Sequence, residues 1–595
     1  MQASNVPFSV VLGAFQYQIP YFQRSYVWQQ EQIAKFQEDM LYVSDEYDKH
    51  KKVQQTFEYF MGTIISKAIP SSTGYQVLDL IDGQQRITTF AVFFKVMSLV
   101  YDDKAIFDNI FNFSHGFPTK KTISKLVSSA ADQKIMENIY KVKDNVALDK
   151  NGSELLVGKK WTKRAMHPLY VAYNMFRDYL EDLKSKGTFV NPDCIVNGVQ
   201  FVNMTLSGND DAQVYFDNIN SLGVRLTTSA IIKNYIFTHN SNGLNQYETQ
   251  WAPTFEGVNN KYWNGDGKKI NIDEFLFYYL QAKTYDPSIK VSSTDKTLYS
   301  RKDAVANHIK DLCEKYLSKN KNLLLNDIID YSSIYSKIVI DDIGSNTSLG
   351  NKNTIDDMLA RLGYLISKLK IFSILPYLMF LVYKKSTDVL DILKYIESYL
   401  VRRSLIESTT ANFNKFFKEV LIAKDIQTLV QLKQELDPKN KRSTDMPDDA
   451  MIKANYSLHD YEENETPKIL LYLLEIELNK KNHYQSTPLP PDKYTLEHLM
   501  PQKLESTFWP GPDQTEDHIY KIGNMGLLTQ SLQSIIKNRG WQEKLNGYSG
   551  KDGIKTCCSG LRIMQDVINK SNWDNKTIDD RTDQLIDSII SIWKA

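Results

Sequence analysis

Between Thr495 and Lys544 the chain sets a carboxylate and an imidazole side by side, Glu497-His498, and follows them with the amides of Asn524 and Gln533 and the amine of Lys544. Imidazole titrates near neutrality, so His498 is the natural general base of the group. Glu497 offers a hard oxygen of the kind Mg²⁺ or Mn²⁺ takes. Together they suit phosphodiester hydrolysis, in which a base accepts the proton of the attacking water while a cation neutralises charge growing on the phosphate and leaving oxygen. An isolated Glu-His pair would read better as a lone histidine in a loop-rich scaffold, so the surrounding spacing decides.

Three elements must position these groups. Tyr494 to Leu499 reads as a short strand bearing Glu497 and His498, Gly526 to Thr529 as a second strand, and Gln530 to Lys537 as a helix that follows without a break. A strand, a long loop, a strand and a helix, carrying Glu-His, then Asn, then an amide nine residues later, resembles the ββα-metal site of HNH nucleases. Glu497-His498-Leu499-Met500-Pro501-Gln502, Ile522-Gly523-Asn524-Met525-Gly526-Leu527-Leu528, Asn538, Trp541 and Lys544 further resemble the C-terminal nuclease domain of GmrSD-type restriction endonucleases, over roughly the last quarter of the chain. That resemblance implies an enzyme that cuts modified foreign DNA. It gives His498, Asn524, Gln533 and Lys544 to catalysis, with Asn524 orienting the loop and His498, and Glu497 and Gln533 to the metal. The family has Asn where this chain has Gln533, and the extra methylene moves the amide oxygen by about 1.5 Å, where Mg²⁺ tolerates little departure from octahedral geometry. Gln533 is thus a tolerated ligand, a natural loss of activity or an engineered substitution.

At the other end, a strand pattern from Tyr75 to Ile81 runs into Asp82-Gly83-Gln84-Gln85-Arg86 and an apolar helix through Tyr101, with an earlier strand at Phe60 to Ser66 and an earlier helix showing Ile33, Phe36 and Met40 on one face. A Gly turn at a helix start presents free N–H groups to an anion such as a phosphate, although Asp-Gly is common in any turn. Pro20-Tyr21-x-Gln23-Arg24-x-Tyr26-x-Trp28, Gly62-Thr63-Ile64 and the Asp82 to Arg86 block together resemble the ParB/sulfiredoxin-like N-terminal domain of the same GmrSD proteins. The resemblance implies nucleoside triphosphate binding and hydrolysis, with Gln23, Arg24, Asp82, Gly83, Gln84, Gln85 and Arg86 lining the pocket. A Phe-x-x-x-Asn-x-x-Gly-x-x-Leu turn adds Asn220 and Lys233, which either reach the nucleotide or DNA or fix a helical hairpin capped by Gly223 and by Thr228 or Ser229. Without a Gly-x-x-x-x-Gly-Lys loop, a P-loop NTPase is excluded. Tyr26 or Trp28 could hold a flipped base, core packing being the plainer reading.

With 595 residues the chain exceeds one core, and 71 acidic residues balance 71 basic ones, so any nucleic-acid surface is local. Lys503, Lys521, Lys537, Arg539 and Lys544 could supply that patch. Four cysteines without a Cys-x-x-Cys suit a reducing cytosol. No basic leader precedes Phe8 to Phe15, and the apolar run Ile371 to Tyr383, interrupted by Pro376, reads as a buried helix too short for a bilayer. Amphipathic patterns at Thr354 to Leu369 and Thr387 to Ser404 predict a helical bundle. Segments 257–269, 342–353 and 437–449 read as exposed connections. Arg402-Arg403 reads as a solvated face, or more sharply as a contact to DNA or an interdomain carboxylate.

The expected protein is α+β and predominantly helical. It has a ParB/sulfiredoxin-like domain with a helical extension (1–240), a helical middle (241–440) and an HNH-like ββα-metal nuclease domain (441–595). The expected function is a cytoplasmic, modification-dependent DNA endonuclease of anti-phage defence, needing Mg²⁺ or Mn²⁺ and a nucleoside triphosphate. Its partners would be modified phage DNA and nucleotide, with no membrane and with homo-oligomerisation open. The alternatives are a nucleotide-dependent sensor whose nuclease has lapsed at Gln533 and an RNA-cutting abortive-infection effector.

Overall fold

Six strands form the one large sheet of the described residues: β1 (Gln2–Pro7), β2 (Phe15–Gln18), β3 (Tyr59–Ile69), β4 (Gln76–Asp82), β5 (Leu126–Val127) and β6 (Val199–Leu206). Their order is β1-β6-β3-β4-β2-β5, with β3/β4 and β1/β6 antiparallel and β3/β6, β2/β4 and β2/β5 parallel. Val77, Leu78, Leu80 and Ile81 are all buried, so β4 is covered on both faces, as its near-continuous apolar run requires. The structure is a computed structural model. It describes the chain except residues 1, 14, 71–74, 116–120, 157–158, 165, 207–226, 239, 258–259, 266–270, 319, 341–348, 407–411, 441, 457–464, 482–487, 504–508 and 510–517.

The chain is α+β and mostly helical, in two compact units, Met1–Thr249 and Gln250–Ala595. In the first, helices α1 (Gln30–Lys52), α2 (Gln84–Val100), α3 (Pro168–Ser185) and α4 (Thr228–Phe237) accompany the sheet. Phe36 of α1, Phe90 and Phe93 of α2 and Phe176 of α3 pack ring to ring at 4.9–5.6 Å. Each such side chain contributes on the order of 2–3 kcal/mol by leaving water, and this cluster fixes where α2 begins. Gly83 takes φ +98°, and a Cβ there would stand 3.0 Å from Ile64, so the turn into α2 needs glycine on both counts.

In the second unit α5 (Ile355–Leu369), α6 (Val389–Arg403) and α7 (Glu465–Lys481) are tied by a buried ion network. Arg361 pairs with Glu397 at 2.6 Å and Glu477 at 2.9 Å, and Lys352 joins both acids. Paired in this way, no charge of the set is left alone in the interior. Beyond them, β7 (Tyr494–His498) and β8 (Met525–Thr529) form an antiparallel pair that sets Met525 opposite His498 and Gly526 opposite Glu497. Then come α8 (Gln530–Ile536), α9 (Trp541–Asn546) and α10 (Asn575–Ile592).

Several expectations shift. The helix expected within Ile371 to Tyr383 starts only at Leu375, after a 3₁₀ turn, with Pro376 at its N-terminus where a missing N–H costs nothing. The N-cap of α4 is Thr227, whose side chain accepts from Ala230 N, rather than Thr228 or Ser229. Asn220, Gly223 and the first helix of that hairpin lie outside the described residues. Two expected exposed connections carry buried anchors, Trp263 in one and Thr444, Asp445 and Met446 in the other. Arg402 is fully buried, neither solvated nor free for DNA, and meets the carboxylate of Asp449 in the expected nuclease domain, the interdomain partner that the sharper reading offered. It donates to Pro447 O and Trp593 O and pairs with Asp449, while Tyr399 Oη donates to Thr444 O. Those carbonyls explain a cation among the apolar residues of α6. No described helix is long and apolar enough to cross a membrane.

Candidate functional site

The β7/β8 pair and α8 bring Glu497 and Gln533 together, and His498 follows Glu497 on β7. Glu497 stands on β7, and Gln533, in the first turn of α8, donates Nε2 to Glu497 Oε2 at 3.1 Å. Lys544 reaches in from α9, fully buried, with Nζ 2.9 Å from Glu497 Oε1 and 3.1 Å from His498 O. Burial lowers the Lys544 ammonium's pKa, and Glu497 opposes that shift.

His498 is 7% exposed, with the Tyr520 ring edge-on at 5.7 Å. Burial, helped by Lys544, pushes its pKa down to about 4, so the ring is neutral at pH 7. Its Nε2 is buried without a hydrogen-bond partner among the described residues. A buried imidazole nitrogen is costly until a partner satisfies it.

Asn524 does not touch the imidazole. Its side chain accepts from Met500 N at 2.7 Å and Trp573 Nε1 at 3.0 Å, and donates to Met500 O and Ile519 O, both at 2.9 Å. It therefore clamps the turn that leaves β7 just after His498. Of the basic patch read from sequence, Lys503 and Lys537 are exposed, Lys521 pairs with Asp579 at 2.7 Å, and Lys544 is inside the site.

The described residues contain no group of three or more His, Cys, Asp or Glu able to hold a metal. What the site offers is a carboxylate and a neighbouring amide, which matches the sparse ligation of Mg²⁺, an ion that keeps several waters and takes substrate phosphate oxygens. Lys544 holds Oε1, which leaves Oε2 and the Gln533 amide. That amide presents nitrogen here and would turn over to give oxygen, an assignment the hydrogen-bond network governs. Turned over, that amide and Glu497 Oε2 are the two oxygens this pair offers to a divalent ion.

The second candidate site lies in the first unit, at the start of α2. Arg24 Nε and Gln84 Oε1 are buried without partners among the described residues, and Gln84 Nε2 stands 3.4 Å from Gln23 Oε1. Burial lowers the Arg24 pKa, with Asp82 opposing. Gln85 and Arg86 are used on their own chain. Gln85 accepts from Val27 N at 2.9 Å and donates to Ser25 O, while Arg86 donates to Thr63 O and lies 3.6 Å from Asp82. Gly62, at φ +113°, leaves room for that guanidinium, which a Cβ would meet at 3.2 Å. Lys233 is buried on α4. Tyr26 is buried with its hydroxyl 2.7 Å from Thr89 Oγ1, so it serves packing, whereas Trp28 borders a cavity of about 340 Å³ with Glu31, Phe36 and Met61.

Residues 9–237 match the model of the GmrSD restriction endonuclease N-terminal domain, and residues 445–588 that of the GmrSD restriction endonuclease C-terminal domain. The chain belongs to the GmrSD restriction endonuclease family. No curated protein matches it. In this GmrSD chain the N-terminal match spans Gln23 to Arg86 and Lys233, and the C-terminal match spans Glu497, His498, Asn524, Gln533 and Lys544. Membership makes the protein a restriction endonuclease, and so a DNA-binding one.

Two further GmrSD residues, Trp573 just before α10 and Arg581 on it, brace the nuclease site from behind. Trp573 holds Asn524, as above. Arg581 of α10, fully buried, donates to Gly523 O and Met525 O on either side of Asn524, and to Ile563 O. The available signal was an arginine on the apolar stripe of α10, beside Ile578, Thr582 and Leu585, which asks for buried carbonyls.

Proposed function

We propose that the protein is a modification-dependent DNA endonuclease with an HNH-like centre at Glu497, His498 and Gln533 and a nucleoside triphosphate site at Gln23, Arg24 and Gln84, acting in defence against phage. The observation that carries the reading is the buried, unpartnered Nε2 of His498, the residue that directly follows the Glu497 carboxylate on β7. Glu497 and Gln533 would hold Mg²⁺ or Mn²⁺, which when bound supplies positive charge against the phosphate and leaving oxygen. His498, neutral at working pH, takes the proton of the attacking water at Nε2. An incoming phosphate raises the proton affinity of the imidazole by its negative charge, at the moment the proton must be accepted. Lys544 fixes the Glu497 carboxylate through Oε1, and Asn524 fixes the turn after His498.

In the first unit, Arg24 and Gln84 would meet the nucleotide with their unpartnered atoms, beside the free N–H groups at the start of α2. The helical segment 241–440 would pass nucleotide state to the nuclease end.

Supercoiled plasmid DNA, modified and unmodified, incubated with Mg²⁺ or Mn²⁺ tests the nuclease. Nicking by the wild type, abolished in His498→Ala, is the expected result. A second reading, a nucleotide-dependent sensor with a lapsed nuclease, is favoured by one observation: both Glu497 oxygens are already engaged, by Lys544 and Gln533. It prevails if neither wild type nor Gln533→Asn nicks any DNA while nucleotide is hydrolysed. Digestion of RNA in place of DNA would instead make the substrate a ribonucleic acid.

A further inference from the structure

Ser25 follows Gln23-Arg24 directly, and its side chain meets two residues that no motif marks. Its Oγ donates to Asp132 Oδ1 and lies 3.0 Å from His167 Nε2. Asp132 Oδ2 accepts the Tyr26 N–H at 2.8 Å. From the opposite side Gln85 takes the Val27 N–H and donates to Ser25 O. The backbone from Ser25 to Val27 is thus gripped on both sides, by the first turn of α2 and by a Ser-Asp-His cluster.

The direction of each bond can be assigned. His167 is the N-cap of α3, and its Nδ1 accepts the Leu169 N–H at 3.3 Å, so Nδ1 carries no proton. Burial pushes the ring's pKa down to about 4, which leaves one proton at neutral pH, on Nε2. That N–H is donated to Ser25 Oγ, and the Ser25 hydroxyl in turn donates to Asp132, a carboxyl whose pKa burial raises. The order runs His167 to Ser25 to Asp132. A catalytic serine instead gives its proton to the imidazole, so the cluster is built to hold Ser25 still.

We infer that Ser25, Asp132 and His167 are positioning residues for the nucleotide site, fixing the segment that carries Gln23 and Arg24 and hence the direction in which the Arg24 guanidinium meets a phosphate. This rests on the nucleotide reading proposed above. Arg24 and Gln84 have unpartnered atoms where a ligand would sit, and a small tilt of residues 23–25 would displace the long Arg24 side chain.

The two bonds of His167 can be separated by substitution. In His167→Gln the amide nitrogen reaches as far as Nε2 and still donates to Ser25. In His167→Asn the shorter side chain keeps an acceptor at the start of α3 and loses Ser25. The full chain is titrated with each of the four ribonucleoside triphosphates in the presence of Mg²⁺ by calorimetry, with thermal unfolding in parallel. Ser25→Ala and His167→Asn are each expected to weaken binding about tenfold, equivalent to about 1.4 kcal/mol, with little change in unfolding temperature. His167→Gln is expected to stay within about threefold of wild type. Loss of binding and of unfolding temperature in the Gln variant, with the Asn variant close to wild type, would reduce His167 to a helix cap and overturn the inference. So would wild-type affinity in all three variants. A wild type that binds none of the triphosphates would remove the nucleotide reading and this inference together.

Discussion

The two candidate sites handle their motif residues in opposite ways. At the nuclease end Glu497, Gln533 and Lys544 converge side chain to side chain, and the bracing is left to others, Asn524, Trp573 and Arg581. At the nucleotide end half the motif is bracing: Gln85 and Arg86 hold backbone of β3 and of the Ser25–Val27 segment, and only Arg24 and Gln84 keep unpartnered atoms. A short motif therefore mixes scaffolding with chemistry, and a buried polar atom without a partner tells them apart better than membership of the motif does.

The sharpest way to break this contrast is to remove the unpartnered imidazole. His498→Ala should lower plasmid nicking by roughly 10²–10⁴-fold, the usual worth of a general base, with triphosphate affinity unchanged by calorimetry. More than a tenth of wild-type activity would return His498 to the core. Next, Lys544→Met leaves Glu497 buried and unpaired, and should destabilise the second unit by about 3–5 kcal/mol in denaturant unfolding. Adding Glu497→Gln should recover most of that loss, whereas Lys576→Ala, at the exposed end of a Lys576–Asp580 pair, should change stability by no more than about 0.5 kcal/mol. If the double variant is as unstable as Lys544→Met, the ammonium holds something other than Glu497.

Smaller effects sharpen the division inside the N-terminal motif. Arg86→Met strips a donor from Thr63 O and should destabilise the first unit by about 1–3 kcal/mol. Arg24→Met should leave unfolding nearly unchanged and weaken triphosphate binding at least about tenfold. Reversed outcomes would exchange the roles of the two arginines. The smallest effect expected is a pH dependence. Folded His167 titrates near 4 and an unfolded histidine near 6.5. Between those values the unfolded chain binds more protons, so the contribution of His167 is whole above pH 6.5 and is lost as pH falls toward 4. The loss should be on the order of 1–2 kcal/mol, given the ring's partial exposure. It should appear as the difference between wild type and His167→Gln, in which the opposing slope from Asp132 cancels.

Much of this was legible in the sequence because it is local. A Gly turn feeding a helix, and a strand, a strand and a helix in succession, are written in side-chain periodicity and turn chemistry, and the family likeness supplied register. What stayed hidden depends on residues far apart in the chain. Arg402 left a solvated face and an interdomain carboxylate both open because its partners, Asp449 and the carbonyls of Pro447 and Trp593, lie 45 residues or more along the chain. The connection from 437 to 449 looked exposed by composition, yet Met446 is buried there. Lys544 came to the site only through the family likeness, and the fold adds that its ammonium is enclosed against Glu497. Asp132 and His167 carry no pattern at all, since their partner Ser25 is more than a hundred residues away.

Arg402 and Arg581 between them fasten the last helix at two points. Arg581 grips the carbonyls on either side of Asn524, and twelve residues on, Trp593 O is held by a guanidinium from the helical bundle. At 1.5 Å per residue the two anchorages are about 18 Å apart along one rigid rod. Cutting the nuclease portion free of the bundle would therefore remove the anchorage at the far end of that rod, and a fragment starting after Arg403 would carry every residue of the candidate cleavage site while lacking that guanidinium.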